Sequence, residues 1–168
     1  MWYVIQVFTG TEENIRLQCE KLMGAEVLEK CFIPYYEEKR KYDGQWHVNT
    51  KVLFPGYVFL VSEQVDGLKE QLRKVLGFSK LIGTGEEIIP LSEDEVKLLE
   101  KLGRKEQVVE MSVGIIENDC VKILKGPLKG MEGFIRKIDR HKRKAWIEVE
   151  MFGRSMEMQV GCEIVERK

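Results

Sequence analysis

The chain has 168 residues, 43% of them hydrophobic and 33% charged. That is enough for one domain or two small ones with cores of their own, and it excludes a collagenous or wholly disordered chain. Its 27 basic and 28 acidic side chains leave a formal net charge of −1, which excludes a basic field over the whole surface. The sum hides a segregation. Residues 1–107 carry 15 basic and 18 acidic side chains, net −3, whereas residues 108–168 carry 12 and 10, net +2. Within the second part, Arg136-Lys137-Ile138-Asp139-Arg140-His141-Lys142-Arg143-Lys144 holds six cations against one carboxylate, net +5.

In chain order, Trp2 to Phe8 is an apolar and aromatic run of strand formers. It lacks the basic start and cleavage site of a secretory signal. Thr9 or Thr11 is placed to cap a helix whose Ile15, Cys19, Leu22 and Met23 fall on one face and which stops at Gly24. Val27 to Tyr36 reads as a second strand interrupted by Pro34, and Glu37 to Gly44 as a charged turn. Trp46 to Phe54 is a third strand. Pro55-Gly56 is a bend before Tyr57-Val58-Phe59-Leu60-Val61, the strongest strand signal. Leu68, Leu72, Val75 and Leu76 predict a helix ending at Gly77, and Leu81-Ile82 a short strand between Gly83, Gly85 and that helix. Ser92-Glu93-Asp94-Glu95 is a capping box opening a helix through Val96, Leu99 and Leu102 to Gly103. The first part is thus β-α-β-β-β-α-β-α, helices on a largely antiparallel sheet.

Residues 104–118 read as a connector, and no helical period survives beyond Asp119. Val121–Leu124, Gly133–Ile135, Ala145–Val149, Met156–Val160 and Glu163–Val165 predict five short strands, which bury a core by curling into a small barrel. No stretch approaches a membrane span. Cys19, Cys31, Cys120 and Cys162 are too scattered for a zinc site and fit buried thiols in a reducing compartment, so the cytoplasm is expected, with no metal. No phosphate-binding glycine motif occurs, and Gly126-Pro127-Leu128-Lys129-Gly130 lacks a following helix. His47 and His141 neighbour no nucleophile, and the paired carboxylates Glu12-Glu13, Glu37-Glu38 and Glu86-Glu87 suit solvated surface or helix starts. No enzyme activity and no cofactor are expected.

Two constellations remain. The run Arg136, Lys137, Arg140, His141, Lys142, Arg143 and Lys144 rounds a hairpin tip, where it would neutralise several phosphates, with Trp146 and His141 near enough to stack on an unpaired base. The alternative is a charged turn kept polar for solubility. Phe54-Pro55-Gly56-Tyr57 is either a bend with two core aromatics or an apolar surface pocket beside Trp2 and Tyr3 that accepts a partner helix.

Trp2-Tyr3-Val4-Ile5-Gln6-Val7 with Thr9-Gly10-Thr11-Glu12, and Leu53-Phe54-Pro55-Gly56-Tyr57-Val58-Phe59-Leu60, resemble the N-terminal (NGN) domain of the NusG family. Lys125-Gly126-Pro127-Leu128-Lys129-Gly130-Met131-Glu132-Gly133, Ile138-Asp139-Arg140 and Met151-Phe152-Gly153-Arg154 resemble its C-terminal KOW domain. The resemblance implies an α+β chain: an NGN-type α/β sandwich with a mostly antiparallel sheet over residues 1–103, a linker at 104–118, and a five-stranded SH3-like (KOW) β-barrel at 119–168. It implies a transcription elongation factor, not an enzyme, that docks the clamp helices of RNA polymerase through Trp2, Phe54 and Tyr57. After Phe152-Gly153-Arg154 the chain continues Ser155-Met156-Glu157-Met158, without the Thr-Pro usual in housekeeping members. With the basic turn, this resembles the specialised LoaP-type branch, which implies a monomeric antiterminator that binds an RNA hairpin in a nascent leader transcript. The RNA-binding set is then Arg136, Lys137, Arg140, His141, Lys142, Arg143, Lys144 and Arg154. A general NusG-type factor whose KOW domain recruits Rho or a ribosomal protein is the runner-up, and a ribosome-associated RNA-binding module the third reading.

Overall fold

Phe59, Val58 and Leu60 are completely buried, and the strand that carries them sits inside a sheet covered on both faces. The computed structural model describes residues 1–75 and 88–167. Its strands are β1 (Trp2–Gln6), β2 (Lys30–Phe32), β3 (Tyr35–Tyr42), β4 (Gln45–Val52), β5 (Tyr57–Val61), β6 (Ile88–Pro90), β7 (Val108–Val109), β8 (Ser112–Glu117), β9 (Cys120–Lys125), β10 (Ile135–Asp139), β11 (Lys144–Met151) and β12 (Arg154–Arg167). Its helices are α1 (Glu12–Leu22), α2 (Val65–Leu72) and α3 (Glu93–Gly103). The expected strand at Leu81-Ile82, the end of the helical stripe at Leu76-Gly77 and the Glu86-Glu87 pair lie outside the described residues.

The fold divides into two units by contact. The first comprises residues 1–33 and 54–96. Its sheet has the order β2-β5-β1-β6 with every pair antiparallel. Helix α1 lies against β2 and β5 and buries Ile15 and Cys19, while Leu22, expected on the same face, is exposed. Neither threonine caps α1 with its side chain: Thr11 is the N-cap residue, but its hydroxyl donates to the Phe8 carbonyl at 2.6 Å. The helix start is held instead by the buried Glu12 carboxylate, which accepts from the Gly10 N–H at 2.7 Å and the Gly56 N–H at 2.8 Å. One side chain thereby joins the β1–α1 turn to the Pro55-Gly56 bend. The Ser92–Glu95 capping box forms as expected, with Ser92 N–H donating to Glu95 at 2.9 Å and Glu95 N–H to Ser92 Oγ at 3.2 Å.

The second unit comprises residues 34–53 and 97–168. It holds a three-stranded sheet, β4-β3-β7, and a five-stranded sheet, β10-β11-β12-β8-β9. In the larger sheet β12 pairs antiparallel with β11 along its first half and parallel with β8 along its second. Strand β11 alternates buried and open positions, sending Ala145, Ile147, Val149 and Met151 inward. No ladder among the described residues joins the outer strands β9 and β10.

The strand expected at Gly133–Ile135 begins only at Ile135, after a short 3-10 turn over Glu132–Phe134. Glu38, expected at the solvated surface, is buried, and Cys120, expected buried, is exposed. Three further expectations need correction. The single strand at Val27 to Tyr36 is two, β2 and β3, in different sheets, divided at Ile33-Pro34 where a residue without an N–H does least harm. The charged stretch Glu37 to Gly44 is strand up to Tyr42, and only Asp43-Gly44 turns. The two strands expected at Met156–Val160 and Glu163–Val165 are one continuous β12, and the fifth strand is β8, which lies within the expected connector.

Glu12→Ala removes the acceptor of two N–H groups, one of them at a buried bond. The expected loss is about 2 kcal/mol of unfolding free energy, partly restored in Glu12→Gln, measured by urea denaturation.

Candidate nucleic-acid interface

The cationic turn forms as the sequence implies. Residues 140–143 link β10 to β11, and the Asp139 carboxylate accepts the Lys142 N–H at 2.8 Å. This backbone bond, before any charge, holds the Asp139 carboxyl below its ordinary value. Arg140, His141 and Lys142 are exposed at the tip.

The other members have partners. Lys144 Nζ lies 3.0 Å from Glu38, a carboxylate only 2% exposed. Arg143 stacks its guanidinium 3.6 Å from the centre of the Trp46 ring and reaches Glu163 at 3.6 Å. Glu163 also receives a hydrogen bond from Lys39 at 2.8 Å, which is the main cause of its lowered pKa. Lys137 sits over the Trp146 ring at 4.8 Å. Arg136 pairs with Glu148 at 3.4 Å and donates to the Gly133 carbonyl at 2.8 Å. Arg154 is exposed but stands beside Met151. It is at the opposite end of β11 from Lys144, on the order of 24 Å along the strand. The structure thus brings Arg140 to Lys144 together and leaves Arg154 apart.

A second basic element was not singled out in the sequence. Strands β3 and β4 form a hairpin in register, Glu38 opposite Asn49, Arg40 opposite His47 and Lys41 opposite Trp46. Asp43 and Gly44 both have positive φ, 53° and 75°, the backbone of a two-residue turn that Asp-Gly supplies with least strain. That dipeptide between aromatic residues was the available signal. The hairpin and the turn line one open cleft of about 650 Å³. Lys39, Arg40, Lys41 and Lys51 come from the hairpin, and Arg140, Lys142, Arg143 and Lys144 from the turn, with Glu38 as the lining carboxylate. Arg40, Lys41, Arg140 and Lys142 make no salt bridge among the described residues, so their charge faces solvent.

The residues expected to meet polymerase sit in the first unit. Trp2, half-buried, packs edge-on against Phe32 at 5.1 Å; Phe32 stacks on Phe59 at 5.3 Å, and Phe59 meets Phe54 at 5.9 Å. Trp2 is the accessible end of this file and Phe54, 1% exposed, the buried end. Tyr57 is 5% exposed and its hydroxyl accepts from Gln6 Nε2 at 3.2 Å.

The profile of the family described as "Transcription termination factor nusG" matches residues 1–100. The chain belongs to the NusG family. It is 30% identical to "Transcription termination/antitermination protein NusG" of Staphylococcus carnosus (strain TM300), over 99% of this chain and 94% of that protein. Identity to the protein of that name in Staphylococcus aureus (strain Mu50 / ATCC 700699) is 29% over the same shares. A solved structure, "Domain interaction in Thermotoga maritima NusG", shares the fold with a TM-score of 0.56 at 23% identity, covering 95% of this chain and 92% of that one. The chain is therefore a NusG-type transcription termination/antitermination factor. NusG-family members bind RNA polymerase and are not enzymes. Among the described residues, no helix is long and apolar enough to cross a membrane.

The partners separate the cations by their effect on stability. Lys144→Met strips the buried Glu38 of its close cation and is expected to cost about 2–3 kcal/mol. Arg140→Ala should stay within about 0.5 kcal/mol of the parent, both read from chemical denaturation. Glu163 has a folded pKa below the ordinary 4.5. Its contribution is therefore present above that value and is lost as pH falls through the lowered one. Lys39→Met should consequently shrink the fall in stability between pH 7 and about pH 3, measured as the change in urea midpoint.

Proposed function

We propose that the chain is a processive antitermination and elongation factor of the LoaP type. It holds RNA polymerase through an NGN-like domain within residues 1–103 and a hairpin in the nascent leader transcript through a KOW-type, SH3-like barrel, whose expected span of 119–168 gains β8 from the expected 104–118 linker. Family membership supports the polymerase partner, the clamp helices being the expected contact. The cluster of solvent-facing cations at the 140–142 tip is the observation that carries the RNA reading. It sits on a chain whose total charge is −1, so binding is confined to one patch.

The mechanism follows from holding two things at once. A factor bound to the polymerase opposes the opening that accompanies pausing and release. A contact to an RNA hairpin raises its local concentration at the operons that encode that hairpin. Such a factor works where transcription occurs, in the cytoplasm, as a monomer. Of the proposed polymerase residues, Trp2 offers accessible surface, whereas Phe54 and Tyr57 serve by shaping the core beneath it.

A general NusG-type factor, whose C-terminal strands recruit a protein, is favoured by the near full-length similarity to the staphylococcal proteins and by the exposed Leu124 and Phe134, each 44% accessible. One experiment separates the two. In the full chain, Arg140→Glu with Lys142→Glu should abolish binding to leader RNA and lower its salt dependence, leaving polymerase capture intact. Trp2→Ala should weaken polymerase capture and leave RNA binding intact. RNA affinity untouched by the charge reversal would transfer the case to the general factor. Alanine at Phe54 or Tyr57 is a poor probe, because emptying a buried aromatic site costs about 3–5 kcal/mol and tests the fold instead.

A further inference from the structure

The exposed Trp46 stands in the cleft with one ring face against the Arg143 guanidinium at 3.6 Å, and it is still 45% accessible. A half-open indole backed by a cation is an unusual thing to leave in water. Trp is the costliest side chain to expose, and a guanidinium stacked on it holds the ring plane fixed. Its cross-strand partner is Lys41, and Arg40 is the next residue along β3. Neither makes a salt bridge among the described residues, and both line the cleft with Arg140 and Lys142 of the turn. Cations on two sides of an aromatic platform are the arrangement that holds a nucleic-acid backbone while a base stacks.

We infer that the β3–β4 hairpin is the second half of the RNA site, with Trp46 as the stacking platform for an unpaired nucleobase and Arg40 and Lys41 as phosphate contacts facing those of the turn. This rests on the RNA reading above and adds what the site selects: RNA that presents an unstacked base, such as a bulge or loop, over a continuous duplex. Arg143 has the positioning role, since it holds the ring and is itself held by Glu163. Lys144 and Glu38 fix the floor.

The test uses the full chain and two RNA stem-loops that differ only in one unpaired stem nucleotide, with a blunt RNA duplex as the third probe. In a Trp2→Phe, Trp146→Phe background Trp46 is the sole tryptophan. Its emission should be quenched by the bulged stem-loop and little changed by the blunt duplex. Trp46→Ala should lower affinity for the bulged RNA about tenfold and leave the duplex affinity nearly unchanged, with Trp46→Phe restoring most of the loss. Arg40→Glu with Lys41→Glu should weaken all three probes and reduce the slope of log affinity against log salt by about two. These exposed substitutions are checked for retained fold by circular dichroism. If RNA binding survives every hairpin substitution while Arg140→Glu with Lys142→Glu abolishes it, the hairpin has no part and only this inference falls. Trp46 emission indifferent to bulged RNA that does bind overturns the stacking role. Failure of the unaltered chain to bind any of the three overturns this inference and the RNA reading together.

Discussion

A buried carboxylate governs the second unit. Glu38 points inward from β3, and Lys144, at the first position of β11, answers it at 3.0 Å. Lys51 of β4 stands at 4.0 Å from the other carboxylate oxygen. A charge placed there without a close cation is costly, so docking of the end of the cationic turn stabilises the position of the hairpin. The backbone reinforces the same contact. β12 passes β3 so closely at Gly161 that a Cβ would run into the Glu37 carbonyl oxygen, and the Glu37 side chain accepts the Met111 N–H at 2.9 Å. Charge and close packing thus act on one seam.

That seam divides the basic run into two populations. Arg143 and Lys144 spend their charge on Trp46, Glu163 and Glu38 and so behave as parts of the scaffold. Arg140 and Lys142 keep theirs for solvent. A net +5 counted along the sequence therefore overstates the field available to a ligand at the turn. The hairpin cations restore it from a segment about a hundred residues earlier in the chain. Sequence proximity groups the cations of the turn, and the fold sets those of the hairpin along the same cleft.

Much of the first unit was legible because local and tertiary preferences agree there. The Tyr57 to Val61 run, the α1 face at Ile15 and Cys19, and the Ser92–Glu95 box all formed where periodicity and capping chemistry put them. The second unit hid its edges. β3 was missed because a buried position on it is filled by Glu38, so the apolar alternation that marks a strand is broken at that residue. β8 was missed because its inward positions are Ser112 and Gly114, small enough for neighbouring backbone to approach, while its larger side chains are only half-buried. The tip at 140–142 was readable because charge has no competing interior use at a hairpin end. Whether Phe54 and Tyr57 lined a pocket or a core was undecided in the sequence, since that depends on what packs over them.

The Lys39–Glu163 contact joins residues 124 apart in the chain. A ribosome makes the hairpin well before β12, so the seam cannot close until β12 has been made. Closing so large a loop is slow compared with local pairing, because its entropy is paid before any contact rewards it. The β3–β4 hairpin can form early, but the Glu163 contacts to Lys39 and Arg143 are made only once β12 has emerged. A product lacking β12 would carry the hairpin cations and Trp46 without Glu163, which holds Lys39 and Arg143. Emergence of β12 is thus built into the fold as a condition for holding the hairpin to the sheet.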